Sequence, residues 1–332
     1  MMKNDICILL PYFGKFNNYF TLWLLSCKYN SQIDWYIFTD DCTKYSYPTN
    51  VKVIYCNFSD IQHAAYKLWG KDISLDKPYD LCKFKVAYHI IFQDIIEKYK
   101  YWGFCDCDLI FGNIYSAILP AIVQKYDKIS WRGHFTLFKN TLDNKDTFLQ
   151  VIPNVHTFKD SISKARKKYY NLFDEVGINF IFDSCGKKVY KDLLIADLKV
   201  KSYNFVCKHF SQAEEFKNKH QIFEWNNGHL YRCYLFNGNL FKEEFAYVHF
   251  LRREMKNHIR NINTFHYLII PPNKFIDYQD ITPEKILLWT KKKFYWNYFT
   301  KRASPLYIYH LILSRLNGEN KKIPDIYPFI IK

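Results

Sequence analysis

The sequence predicts an α/β architecture: an open, mainly parallel sheet flanked by helices, with a ligand crevice at the carboxyl ends of its strands. Three observations predict it. Residues 6–10, 35–38 and 101–105 are continuous apolar runs of strand length without polar alternation, as in strands buried on both faces. Segments of helical spacing separate these runs. The third run ends in Asp106-Cys107-Asp108, two carboxylates one residue apart, with Gly112 just beyond to turn the chain.

Residues 6–10 form the first strand, and Pro11-Tyr12-Phe13-Gly14 breaks it, as a buried parallel strand does when it delivers a loop to a crevice. Asn17 or Asn18 caps a helix through about residue 29, where Tyr19, Leu22, Trp23 and Cys27 keep helical spacing. Residues 35–38 are the second strand, ending in Thr39-Asp40-Asp41, and residues 51–56 the third. Ser59 caps a helix that Gly70 stops. Pro78 precedes a longer helix, about 81–99, with Leu81, Phe84, Ala87, Tyr88, Ile91, Phe92 and Ile95 on one side and Lys83 at its N-terminal end. The strand with Asp106 and Asp108 follows.

In an extended segment residues i and i+2 share a side, so both carboxylates can reach one ion while Cys105 and Cys107 point away. A hard divalent cation takes such oxygens and keeps open positions for phosphate oxygens. The bland alternative is a strand end with solvated acids. Residues 129–131 and 135–138 read as short strands around Arg132-Gly133-His134. Residues 164–170 are basic and helical, and Asp174 to Asn179 precede an apolar 180–182. Asn226-Asn227-Gly228 is a hairpin signal within residues 223–236, and residues 245–250 form a further strand running into Arg252-Arg253.

With 332 residues, 49% of them hydrophobic and 20% aromatic, the chain buries a full core and is not wholesale disordered. It divides into a main domain, 1–255, and a basic, aromatic-rich, mainly helical accessory region, 256–332. Forty-seven basic against 32 acidic residues leave a net charge of +15, which points to an anionic partner: nucleic acid, an anionic membrane surface or a sugar nucleotide. From Glu284 to Arg315 seven Lys or Arg stand against one acid and interleave with Trp289, Phe294, Tyr295, Trp296, Tyr298 and Phe299. That composition suits the headgroup region of an anionic membrane, or equally a helix packing its aromatics with a solvated basic face. Ten cysteines without a C-x-x-C speak for reduced, cytosolic thiols and against zinc. The N-terminus reads as a first strand rather than a signal peptide, and no uncharged run is long enough to span a bilayer.

With Asp106 and Asp108 placed, the sequence resembles the GT-A glycosyltransferases, specifically bacterial capsule and lipooligosaccharide transferases with a W-G-x-x-D-x-D-x-x-x-G core, here Trp102 to Gly112. The resemblance is carried by the order of motifs over about residues 6–253. I-C-I-L-L-P-Y-F-G is similar to the family's first nucleotide-binding strand, I-D-W-Y-I-F-T-D continues it, and P-Y-D-L-C-K-F-K-V-A-Y resembles its lysine-bearing helix. Asp80 and Lys83 stand where the family has Lys and an acid, a swap that keeps an opposite-charge pair, and Lys85 is the better match to the family lysine. Asp174 to Asn179 resembles the acid-Gln-acid-x-Leu-Asn motif of retaining galactosyltransferases, with Glu175 in place of Gln. His249-Phe250 resembles their downstream metal-binding histidine, followed here by Arg252 and Arg253.

The resemblance implies a metal-dependent glycosyltransferase that uses a nucleotide-sugar donor, a uridine diphosphate sugar, and a hydroxyl of a cell-surface glycan or lipid-linked acceptor. It implies Mn²⁺ or Mg²⁺ on Asp106, Asp108 and His249, with Lys85, Arg252, Arg253 or Lys256 near the diphosphate. Pro11, Tyr12, Phe13, Gly14 and Asp40 are the expected contacts to base and ribose, and Gly133-His134 lies where acceptor or sugar passes. Asp174 and Glu175 are the acids expected at the sugar, with Asp183 a substitute. Since Glu175 can act as a base and glutamine cannot, retention and inversion both stay open. The expected location is cytoplasmic, at the inner face of the membrane. Two rivals remain: a nucleic-acid-binding protein using the basic tail, although no nucleic acid is the expected partner, and a metal-dependent nucleotidyltransferase or phosphohydrolase.

Overall fold

A computed structural model describes residues 4–153, 155–166, 173–199, 202–207, 220–251, 253–260 and 265–291. The chain divides into two units; the described part of the first is residues 4–107 and 114–193, and of the second 108–113 and 194–291. Among the described residues no helix is long and apolar enough to cross a membrane.

The first unit is built on β1 (Ile6–Pro11), whose Ile-Cys-Ile-Leu-Leu is buried throughout. Helix α1 (Phe20–Lys28) follows, then β2 (Ile33–Thr39) and β3 (Val51–Tyr55). Helix α2 (Phe58–Trp69) is capped by Asn57 rather than Ser59: Asn57 N donates to the Asp60 carboxylate at 2.8 Å, and Gly70, at φ +81°, ends the helix. The single helix expected at 81–99 is instead a 3₁₀ segment, Pro78–Ala87, followed by short α3 (Tyr88–Ile91) and α4 (Gln93–Ile96). Leu81, Phe84 and Ala87 are three apart, a spacing that lines up on a 3₁₀ turn as well as on an α-helix. The pair expected from the Asp80 and Lys83 swap forms at 3.1 Å.

Strand β4 (Tyr101–Cys105) comes next. The chain then supplies β5 (Leu109–Phe111) to the second unit and returns with α5 (Ile114–Val123), β6 (Lys128–Arg132) and β7 (Phe135–Lys139). Helices α6 (Leu142–Lys145) and α7 (Phe158–Ile162), a π-helical turn Phe173–Gly177, α8 (Ile178–Ser184) and β8 (Val189–Tyr190) complete the unit. The sheet order is β3-β2-β1-β4-β7-β6-β8, parallel from β3 to β4 and antiparallel from β4 through β7 to β6. β1 runs to β2 on one side and meets β4 on the other, so the order reverses between β1 and β4. A crevice opens outside the carboxyl ends of strands at such a switch point. Gly103 is what lets β4 and β7 approach: a Cβ there would lie 2.1 Å from the Thr136 carbonyl oxygen.

In the second unit β9 (Ile195–Asp197), β13 (Tyr247–His249) and β5 form a small sheet with β13 central. β10 (Gln221–Asn226), β11 (His229–Phe236) and β12 (Asn239–Phe245) form a meander. The expected hairpin turn is there, with Asn227 and Gly228 at φ +47° and +87°, the two positive values of a type I′ turn. Asn237-Gly238 repeats it at +50° and +80°, so residues 239–245, not read as a strand, become β12. β14 (Lys256–Asn257), β15 (His266–Ile270) and β16 (Lys274–Asp277) extend this second sheet, and α9 (Pro283–Thr290) packs on it through Ile286. Most of the basic aromatic segment, residues 292–332, lies outside the described residues.

Candidate functional site

The first unit gathers its charged residues where the strand order reverses. Pro11 and Asp106 each lie two residues past the paired Leu9 and Phe104. Beyond β1, Tyr12 N donates to the Phe38 carbonyl at 2.8 Å, and Gly14, at φ +95°, donates its N–H to the Asp40 carboxylate at 2.7 Å. Tyr12 is half-buried and stacks on Phe16, whereas Phe13 is a core residue set edge-on to Phe58. Pro11, Tyr12 and Asp40 are thus the members of this loop set whose side chains stay at least partly toward solvent.

Asp106 does not continue β4 as an extended strand. The strand ends at Cys105, and Asp106-Cys107-Asp108 forms a bend, so the same-side argument for the two carboxylates does not apply. The Asp106 N–H donates to the His134 carbonyl at 2.9 Å. Its carboxylate accepts from buried Lys85 at 2.6 Å. Lys85 also donates to the Gly133 carbonyl at 2.7 Å and lies 3.6 Å from Asp174. Burial works against the charge on Lys85, but the carboxylates of Asp106 and Asp174 hold it protonated well above the ordinary lysine value. One ammonium thereby joins the strand-end acid to the acid on the π-helical turn.

Asp174 is enclosed. Burial, opposed by Lys85 and reinforced by Glu175 and Asp106, pushes its carboxyl up to about 7. Gly133 is necessary to this arrangement, since a Cβ there would meet the Asp174 Oδ2 at 2.8 Å. The neighbouring Glu175 pairs with buried Arg132 at 3.1 Å, and the Arg132 guanidinium lies over the Trp131 ring at 3.8 Å. Asn179 donates to the Trp131 carbonyl at 2.7 Å and to the Glu175 carbonyl. Asp183 stands apart, exposed and paired with Lys191 at 2.9 Å.

The second unit begins at Asp108, one residue beyond Cys107. Within it His249 Nε2 lies 3.4 Å from Asp108 Oδ1, and Nδ1 is 2.9 Å from Asp197 Oδ1. β13 holds the histidine: the His249 carbonyl accepts from Leu198 N, and the Asp108 carbonyl accepts from Phe250 N, each at 3.0 Å. Burial would lower the imidazole, but Asp108 and Asp197 more than reverse this and raise it to about 9. With Nδ1 turned to Asp197, Nε2 faces Asp108, and a divalent cation entering there would displace the Nε2 proton, so that the histidine and the carboxylate share the cation. The chemistry of this donor set fits a divalent ion of Mn²⁺ or Mg²⁺ type.

Arg253 is turned elsewhere, donating to the Pro272 carbonyl at 2.7 Å and to the Lys199 carbonyl, with Phe205 beside it. Arg252 lies outside the described residues. Sequence reasoning did not single out Arg132 or Asp197 as site residues. Asp197 did carry a signal of the kind that marked His249: it is a polar residue closing the apolar run Ile195-Ala196.

The crystal structure of the galactosyltransferase LgtC in complex with donor and acceptor sugar analogs is similar over 86% of this chain and 95% of that one, at 8% identity and a TM-score of 0.37. No curated protein matches the chain. A family model described as "Family of unknown function (DUF6625)" matches residues 8–279, and with so much of both units inside the match the chain belongs to that family.

Proposed function

We propose that the chain is a metal-dependent glycosyltransferase that moves a sugar from a nucleotide-sugar donor, a uridine diphosphate sugar, to a hydroxyl of a glycan or glycolipid acceptor. The observation that carries this reading is the Lys85 bridge: a buried ammonium ties Asp106, at the sheet's switch point, to Asp174. Clusters of this kind suit a ligand whose leaving group is anionic and whose reacting carbon turns cationic. The order of motifs from β1 to His249 supports it from the sequence side.

In this reading Asp106, Asp108 and His249 hold a divalent ion, which supplies a Lewis acid for the charge that grows on the departing diphosphate. Asp197 keeps the His249 tautomer, and Lys85 holds Asp106 in place. Tyr12 and Asp40 contact the base and ribose. Asp174, titrating near 7, has two forms to offer at neutral pH: as the acid it donates to a sugar hydroxyl, and as the carboxylate it favours positive charge on the sugar. Glu175, held by Arg132, takes the acceptor proton if the reaction inverts and backs the cationic carbon if it retains.

Calorimetric titration of UDP, GDP and CMP, with and without Mn²⁺, tests the reading on the wild type and on Asp108→Ala. Metal-dependent binding of UDP that the variant loses is the expected result, followed by slow hydrolysis of a UDP-sugar. If no nucleotide binds under either condition, the proposal fails.

A further inference from the structure

The strand before the Arg132-Gly133-His134 turn contains a device that the proposed chemistry does not use. Between Ile129 and Arg132 the register of β6 against β7 shifts, a β-bulge, and Ser130 sits there at φ +71°, a conformation L-residues rarely adopt. A bulge re-aims the residues just after it, here Arg132 and Gly133. Carbonyls in the bulge and just after it are held by side chains. Lys128 Nζ donates to Ser130 O at 2.6 Å, Asn179 Nδ2 to Trp131 O at 2.7 Å, and Thr136 Oγ1 to Arg132 O at 2.8 Å.

Lys128 is wholly buried, yet its other hydrogen bond goes to a neutral acceptor, Asn179 Oδ1 at 2.7 Å. An apolar chain would fill this space at less cost, because Nζ gives up its hydration with no charge in contact, and burial pulls its pKa down to about 7. What Nζ holds is specific. By taking Asn179 Oδ1 it turns the amide so that Nδ2 reaches the Trp131 and Glu175 carbonyls, joining the bulge to the π-helical turn that carries the acids. From the bulge, Arg132 reaches Glu175, and Gly133 offers its carbonyl to Lys85 and its bare Cα to Asp174.

We infer that Lys128 is a positioning residue: through Asn179 and the Ser130 bulge it sets Asp174 and Glu175 against Lys85 and Arg132. The inference rests on reading those two acids as the ones at the donor sugar. Lys128→Met in the full chain tests it, with Asn179→Ala as a second variant should the first fail to fold. For either variant the expected result is donor hydrolysis with kcat down about 10-fold or more, KM and Mn²⁺-dependent UDP affinity within about 3-fold of wild type, and a double variant no worse than the single ones. Unchanged kcat overturns the inference, as does a loss of UDP affinity in step with kcat. If the wild type hydrolyses no sugar nucleotide, the proposed function falls, and crystal structures still decide this point. The bulge relaxed with Arg132 off Glu175 upholds the inference; bulge and pair intact in both variants overturn it.

Discussion

Replacing Asp174 by asparagine keeps the shape of the side chain and removes its charge, and the consequence for stability depends on where the carboxyl sits. Its pKa in the folded chain is about 7, against 3.8 for the free side chain. Between these values the native state keeps a proton that the unfolded chain has released, so stability falls as pH rises through the window and levels off above 7. The slope is at most about 1.4 kcal/mol per pH unit, so the two units between pH 5 and the native pKa of about 7 amount to roughly 3 kcal/mol. Asparagine does not titrate and escapes this loss. Part of the effect belongs to Lys85, which loses a partner in the variant, and about 2 kcal/mol is a reasonable expectation for the remainder. Urea unfolding of both proteins at pH 5, 6, 7 and 8, followed by circular dichroism, measures the difference at each pH, and groups common to both cancel. The variant should gain on the wild type as pH rises, with the gain complete by about pH 8. A difference flat with pH, or one moving in favour of the wild type, would mean that Lys85 keeps the buried carboxylate ionised and that burial is not the dominant influence. The same variant should lose donor hydrolysis, as expected where an acid is kept for chemistry at a cost in stability.

Two further outcomes are expected from the geometry. Asp197→Ala removes the acceptor on His249 Nδ1 and should weaken Mn²⁺ binding about 10- to 100-fold by calorimetry; unchanged affinity would remove either Asp197 or His249 from the metal's surroundings. Gly103→Ala forces a Cβ to 2.1 Å from the Thr136 carbonyl oxygen and should cost about 3 kcal/mol in urea unfolding, since the obstacle is backbone; a loss under about 1 kcal/mol would show that β4 and β7 can part locally.

What the sequence displays and what it conceals divide along the distance over which each interaction acts. β1, β2 and β4 are legible because a strand buried on both faces writes an unbroken apolar run, and the Asn227-Gly228 turn because two adjacent positive φ values admit few residues. The segment 78–96 misleads because apolar residues three apart satisfy two helical periods at once. Asp106 and Asp108 stand out as polar residues closing an apolar run, and Lys85 and Asp174 through the motifs they resemble. Their partners do not: Lys128 meets Asn179 across 51 positions, and His249 meets Asp197 across 52. Nothing local in a buried lysine on a strand distinguishes it from an exposed one until the fold closes over it.

The second unit begins with a loan. Its strand β5 comes from residues 108–113, spliced into the middle of the first unit's sequence, while the rest starts at Leu194. Cutting the gene at residue 193 would therefore not release an independent fragment. Val248 and His249 would lose their antiparallel partners Ile110 and Leu109, and the buried Trp225 indole would lose the Phe111 carbonyl it donates to at 2.8 Å. A ribosome making this chain must likewise hold β5 unpaired for well over a hundred residues, until β13 emerges. Anyone dissecting the protein by truncation is better served by a peptide of residues 108–113 added back in trans than by moving the cut.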